Sequence, residues 1–136
     1  MNDTASVTAG QFMQCAFDAD SGKIWFGRNN SWWDSSVTAY SAANGPAAGN
    51  NNPGTIDSGH QYIIMFNGYS NTYVTVANFG QDSSFGGEVT RQNNSDGNGQ
   101  GDFYYAPPSG HLAICSKNLS NPTIQKPNKH FDTFLY

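Results

Sequence analysis

Basic residues are scarce in this sequence: six Lys and Arg in 136 positions, each standing alone. With no basic stripe or cluster to meet a phosphate backbone, nucleic acid is excluded as a partner. Charge of either sign is thin at 12%, about half the usual share. Cysteine is limited to Cys15 and Cys115. Two cysteines without a secretory context do not make a disulfide scaffold, so both are read as buried free thiols, with a disulfide as the alternative. No apolar run approaches the length needed to cross a bilayer, so no membrane insertion is expected. The opening MNDTASVTAGQF has neither a basic start nor an apolar core and is read as carrying no secretory signal. The Asn-x-Ser/Thr triplets at Asn2, Asn29, Asn93 and Asn118 are then chance products of an Asn-rich chain.

What is present is polar but uncharged. Asn, Ser and Thr, with 15 glycines, supply the surface, and aromatics reach 14%. That aromatic content argues for a packed core and against disorder. The length suits one domain over residues 1–136. Ala, Leu, Glu and Lys are too few for long helices.

Wherever the apolar pattern is strong, its period is two. Met13, Cys15, Phe17 and Ala19 share one face of a strand, opposite Gln14 and Asp18. Asp20-Ser21-Gly22 turns the chain, with Gly22 in a left-handed position. Residues 23–27 return, placing Ile24 and Phe26 on one side and Trp25 on the other. Asn29-Asn30 makes the next turn, because Asn tolerates positive φ. Further strands are expected in QYIIMF (61–66), in 72–79, in HLAIC (111–115) and in HFDTFLY (130–136). Residues 35–59 and 91–102 are long polar loops, and loops of that length are functional or wrapped on the surface. Six or seven short strands between Gly, Asn and Pro loops indicate an all-β chain, an antiparallel β-sandwich or barrel.

Candidate chemistry is sparse. Asp18 and Asp20, two apart, would sit about 7 Å from each other on a regular strand, a spacing within reach of a glycosidase pair. An Asp-x-Asp-x-Gly hairpin, however, uses its carboxylates on its own backbone. Asn94, Asp96, Asn98, Gln100 and Asp102 fall at alternate positions around three glycines, and oxygen ligands so spaced could wrap calcium. No Glu closes that loop, so a solvated loop is the competing reading, and no other cofactor is implied. His60, His111 and His130 have no zinc-like spacing. No nucleophile motif is present, so no catalytic residue is assigned and the chain is read as a non-enzyme.

Aromatic rings are the better lead. Trp32 and Trp33 are adjacent, so an extended chain cannot aim both at one core. With Trp25 they are candidates to stack on a sugar, a peptide or a neighbouring subunit. Tyr40, Asn50, Asn51 and Tyr69 complete the candidate binding set. The competing reading is that both faces of the strands are covered and the rings are internal.

Several segments together resemble one family. FDADSGKIWFGRNNSWW is similar to the hairpin of SPRY (B30.2-like) domains, with Asn30 where the family turn has glycine. NFGQDSSF (78–85) resembles the stretch that closes the same domain. GDFYYAPPSGHLAIC and NLSNPTI resemble the continuation in SPRY-like proteins of tailed bacteriophages. The resemblance covers residues 6–136 and implies a concanavalin-like sandwich. About half of the family domain would precede this hairpin, and its strands are absent. Either another chain supplies them, or the sandwich is a fragment or rearranged. The implied role is a virion structural module, in a tail fibre, baseplate or head appendage, assembled in the host cytoplasm. Its implied partners are other virion subunits or identical chains, and a host surface glycan or protein bound through loops 35–59 and 91–102. A decoration or assembly subunit with no receptor role is the second reading, and a carbohydrate-active enzyme the third.

Overall fold

The computed structural model describes residues 8–34, 40–46, 54–57, 59–65 and 74–119. Five strands form one antiparallel sheet: β1 (Met13–Asp18), β2 (Lys23–Arg28), β3 (Ser31–Trp33), β4 (Tyr40–Ser41) and β5 (Gly54–Thr55). The order is β1-β2-β3-β4. β5 shares the edge of β2 that β3 uses, pairing at Lys23 and Ile24 while β3 pairs at Gly27 and Arg28. Among the described residues the helical content is short 3-10 turns, such as Ala42–Asn44 and Ser116–Asn118. The chain is all-β, as its period-two pattern indicates.

Both expected turns form, for the expected reasons. The Asp18 carboxylate accepts the amides of Asp20 at 3.0 Å and Ser21 at 3.2 Å, together with the Ser21 hydroxyl. This is an Asx turn, and it commits the carboxylate to the loop backbone rather than to chemistry. Gly22 has φ of +65°, and a Cβ there would stand 2.6 Å from the Ile56 carbonyl oxygen. The Ile56 amide donates to the Gly22 carbonyl at 2.9 Å, which seats β5 beside the hairpin. Asn29 and Asn30 take φ of +50° and +61° between the paired Arg28 and Ser31. Positive φ at both central residues matches the right-handed twist of the strands it joins.

The hairpin alternates as expected, with Cys15 and Phe17 opposite Phe26 and Ile24 and with Trp25 on the other face, but the buried face is the one that carries Trp25. Ala16 pairs with Trp25 and Gly27 with Trp32, and paired residues share a face. Ala16, Trp25 and Trp32 form the buried cluster. Met13 and Phe17 are instead 48% and 44% exposed, and Cys15 is exposed rather than a buried thiol. The reason is size complementarity. The indole of Trp32 lies so close to two glycines that a Cβ at Gly27 would sit 3.0 Å from it and one at Gly45 2.5 Å. Ala16, Gly27 and Gly45 leave room on this face for two large indoles to close over them.

A second layer of strands does not form among the described residues. Residues 61–65 and 74–78 lie outside the sheet, and Ile63, Met65 and Val74 are 85%, 80% and 89% exposed. Residues 111–115 likewise form no strand. The tryptophan face is covered by loops rather than by strands: His111 packs against Trp25, and Tyr104 stacks on Phe12 at 4.1 Å just before β1. Phe12 also meets Phe85 at 5.2 Å and Tyr105 at 5.8 Å. The expected strand at 130–136 lies outside the described residues.

Candidate functional site

The loops that cover the sheet are organised by carboxylates and amides aimed inward. Asn78 starts the series: its Oδ1 accepts the amides of Gly80, Gln81 and Asp82 at 2.8, 2.9 and 3.2 Å. Its Nδ2 donates to the Asp102 carbonyl at 2.9 Å, joining two segments 24 residues apart. Asp82 then accepts from the Ser84 amide and hydroxyl and from the Gly86 amide. These hydrogen bonds, with Arg91 adding to them, hold its carboxyl well below the usual range.

Arg91 binds two acids at once, Asp82 at 3.2 Å and Asp102 at 3.0 Å. Ser83, fully buried beneath them, accepts the amides of Gln92 and Asn93. The Ser83 hydroxyl and amide, with Arg91 beyond, lower the Asp102 carboxyl as well. Each of these acids is held ionised. A general acid for glycosidic cleavage requires the opposite tuning.

Asp96 is the second centre. Its Oδ1 accepts the amides of Asn98 and Gln100, both at 2.9 Å. Its Oδ2 accepts the Ala113 amide at 2.8 Å and the Asn118 side chain at 2.7 Å. Burial pushes this carboxyl up, but the hydrogen bonds outweigh it and bring it down to about 2. Asn118 also donates to the Ala113 carbonyl and accepts from Asn98, closing the ring of contacts.

This geometry reassigns the calcium candidates. Asn94 turns its side-chain amide onto the carbonyls of Phe103 and Tyr104, and Asp102 faces Arg91. Asp96 has both oxygens on protein donors, and Asn98 is spent on Asn118. The alternation of oxygen-bearing residues around glycines serves the loop's own backbone instead of a shared centre. Among the described residues no three His, Cys, Asp or Glu side chains gather as metal ligands.

The aromatic candidates are also internal. Trp25, Trp32 and Trp33 are 4%, 6% and 3% exposed. Adjacent tryptophans are both buried because each face of β3 is covered. Trp32 lies on the Gly27 side, whereas Trp33 packs on Tyr40 at 4.5 Å. The Arg28 guanidinium sits 4.6 Å over the Tyr40 ring, a cation–π contact that caps this face. The expectation of an open aromatic platform is therefore corrected for these three rings. Asn50, Asn51 and Tyr69 lie outside the described residues.

The open surface lies elsewhere. Phe17 of β1 and Leu112, Ala113, Ile114, Cys115 and Leu119 line a shallow apolar groove of about 470 Å³. Phe17, Leu112, Ile114 and Leu119 are all exposed, and Met13 and Cys15 continue the apolar strip along β1. The sequence pattern did not show this groove: residues 111–115 are expected there as a strand, and Cys15 and Cys115 as buried thiols. It also missed Asn78, Asp82, Ser83, Arg91 and Asn118. The Asx and Ser/Thr turn signals in NFGQDSS were available, but their partners nine or more residues away were not. Among the described residues no helix is long and apolar enough to cross a membrane.

Comparison with family models, with curated proteins and with solved structures finds no match to this chain.

Proposed function

We propose that this chain is a non-enzymatic β-module of a phage-like virion, one that works by holding partners. The observation that carries the reading is the apolar strip Met13–Cys15–Phe17 with its adjoining groove. Contiguous exposed apolar surface marks sites of protein association, and β1 pairs on one edge only among the described strands. The virion context rests on the likeness of residues 17–33 and 78–85 to the SPRY-like segments of tailed phages, and so does the sandwich architecture that a companion chain would complete. Carboxylates held ionised support the non-catalytic reading.

Burial of all three tryptophans favours one version over the other. A receptor binder that stacks sugars needs open rings, and these rings are internal. The assembly subunit, a decoration or structural component contacting sister subunits, is thus the stronger reading, with glycan or host-protein binding through the loops as the alternative. Electron microscopy of the assembled particle tests it. Met13, Phe17, Leu112 and Ile114 are expected against a neighbouring subunit. If they face solvent in the assembled state, the proposal fails.

A further inference from the structure

Trp25 and His111 meet edge-on, with ring centroids 5.6 Å apart and planes at 88°. Nε1 of Trp25 is buried and makes no hydrogen bond, and the same holds for Nε2 of His111. Two orphaned polar atoms in touching rings are a costly arrangement, because each loses water without a replacement. Their chemistry is complementary. The indole N–H only donates, whereas a neutral imidazole donates from one nitrogen and accepts at the other. The other nitrogen of His111, Nδ1, lies 3.5 Å from the Ser109 carbonyl oxygen. A carbonyl only accepts, so that contact calls for the proton on Nδ1. Nε2 is then left with a lone pair, and the Trp25 ring that His111 meets edge-on carries an unused donor.

We propose that one enclosed water bridges Trp25 Nε1–H and His111 Nε2, accepting from the indole and donating to the imidazole, as a clasp between β2 and the 109–113 loop. The clasp fixes His111 as the Nδ1-protonated tautomer. It also explains how a loop without strand pairing stays seated on the sheet. His111 leads within two residues to Ala113, whose amide is held by Asp96, and Leu112 and Ala113 line the groove. Trp25 therefore positions one wall of the apolar groove from beneath. The inference stands on the ring geometry, the two unpartnered nitrogens and the Ser109 contact, and is independent of the proposed function.

Nitrogen-15 NMR of the full chain, at a pH that keeps the imidazole neutral, tests it. Two-bond correlations should identify Nε2 of His111 as the unprotonated nitrogen. The Trp25 indole proton should be the one whose exchange accelerates in His111→Phe, by about five- to tenfold for the loss of one hydrogen bond. A dominant Nε2-protonated tautomer overturns the proposal, as does an unchanged Trp25 exchange rate in His111→Phe. Should His111→Phe fail to fold, the wild-type tautomer still decides.

Discussion

The Asp96 carboxylate accepts the backbone amide of Ala113 at 2.8 Å, closing a loop of 17 residues with one side chain. The Asp96 segment has one antiparallel bridge of its own, Asn94 with Phe103, but residues 111–113 are in no strand, so this side-chain contact is what ties them to it. A backbone amide that would otherwise be buried and unpaired is satisfied by a charged acceptor, the stronger kind of hydrogen bond. Asp96→Asn keeps the shape but turns an NH2 group toward one pair of donors. The expected result is a lower thermal midpoint with faster amide exchange at Ala113, Asn98 and Gln100, while the β1–β2 amides keep their protection. Hydrogen exchange by NMR resolves the two groups of amides.

Acid should act through the same residue. Hydrogen bonds bring the folded carboxyl of Asp96 down to about 2, below its usual 3.8, and Asp82 and Asp102 are shifted in the same direction. A carboxyl with a depressed folded value adds stability that is fully present above its unfolded value and is lost as pH falls through the folded one. Urea midpoints are therefore expected to be flat near neutral pH and to fall between about pH 4 and pH 2. Asp96→Asn should shrink that acid step without moving its onset upward.

The indole of Trp32, lodged between Gly27 and Gly45, carries the third prediction. Trp32→Ala should destabilise the chain by about 3–5 kcal/mol, as for other large rings deleted from a core. Gly45→Val should be similarly damaging, because a Cβ already stands 2.5 Å from the ring. Chemical denaturation of each variant measures both.

Gly22 tests the hairpin. Its φ of +65° costs any other L-residue about 1–2 kcal/mol, and a Cβ there meets the Ile56 carbonyl. Gly22→Ala is expected to loosen β5 selectively, seen as lost protection of the Ile56 amide, with the β1–β2 ladder retained.

The turns were legible in the sequence because their information is local. Asp18, Gly22, Asn29 and Asn30 each meet a need set by residues within four positions. The buried face of β1 was not legible. Met13, Cys15 and Phe17 are more apolar than Gln14 and Ala16, and period-two reasoning chooses the more apolar set. What decided the outcome was Trp32 finding room over Gly27 and Gly45, a fit that only cross-strand register and a later turn create. Spacing alone left the oxygen-rich loop at 94–102 open between a calcium site and a polar loop, for a related reason. Spacing shows that oxygens can converge, but the donors at Ala113 and Asn118 that claim Asp96 lie 17 and 22 residues downstream. The groove was invisible because residues 111–115 alternate like a strand, and alternation does not tell whether a strand forms or which of its faces stays open.

In the proposed function, another polypeptide chain finishes the apolar strip along β1 and its groove. Sedimentation velocity of the purified chain at micromolar concentration tests it most directly, with Phe17→Glu run beside the wild type. A defined oligomer is expected for the wild type, dissociated by Phe17→Glu. A monodisperse, cooperatively unfolding wild-type monomer would contradict it.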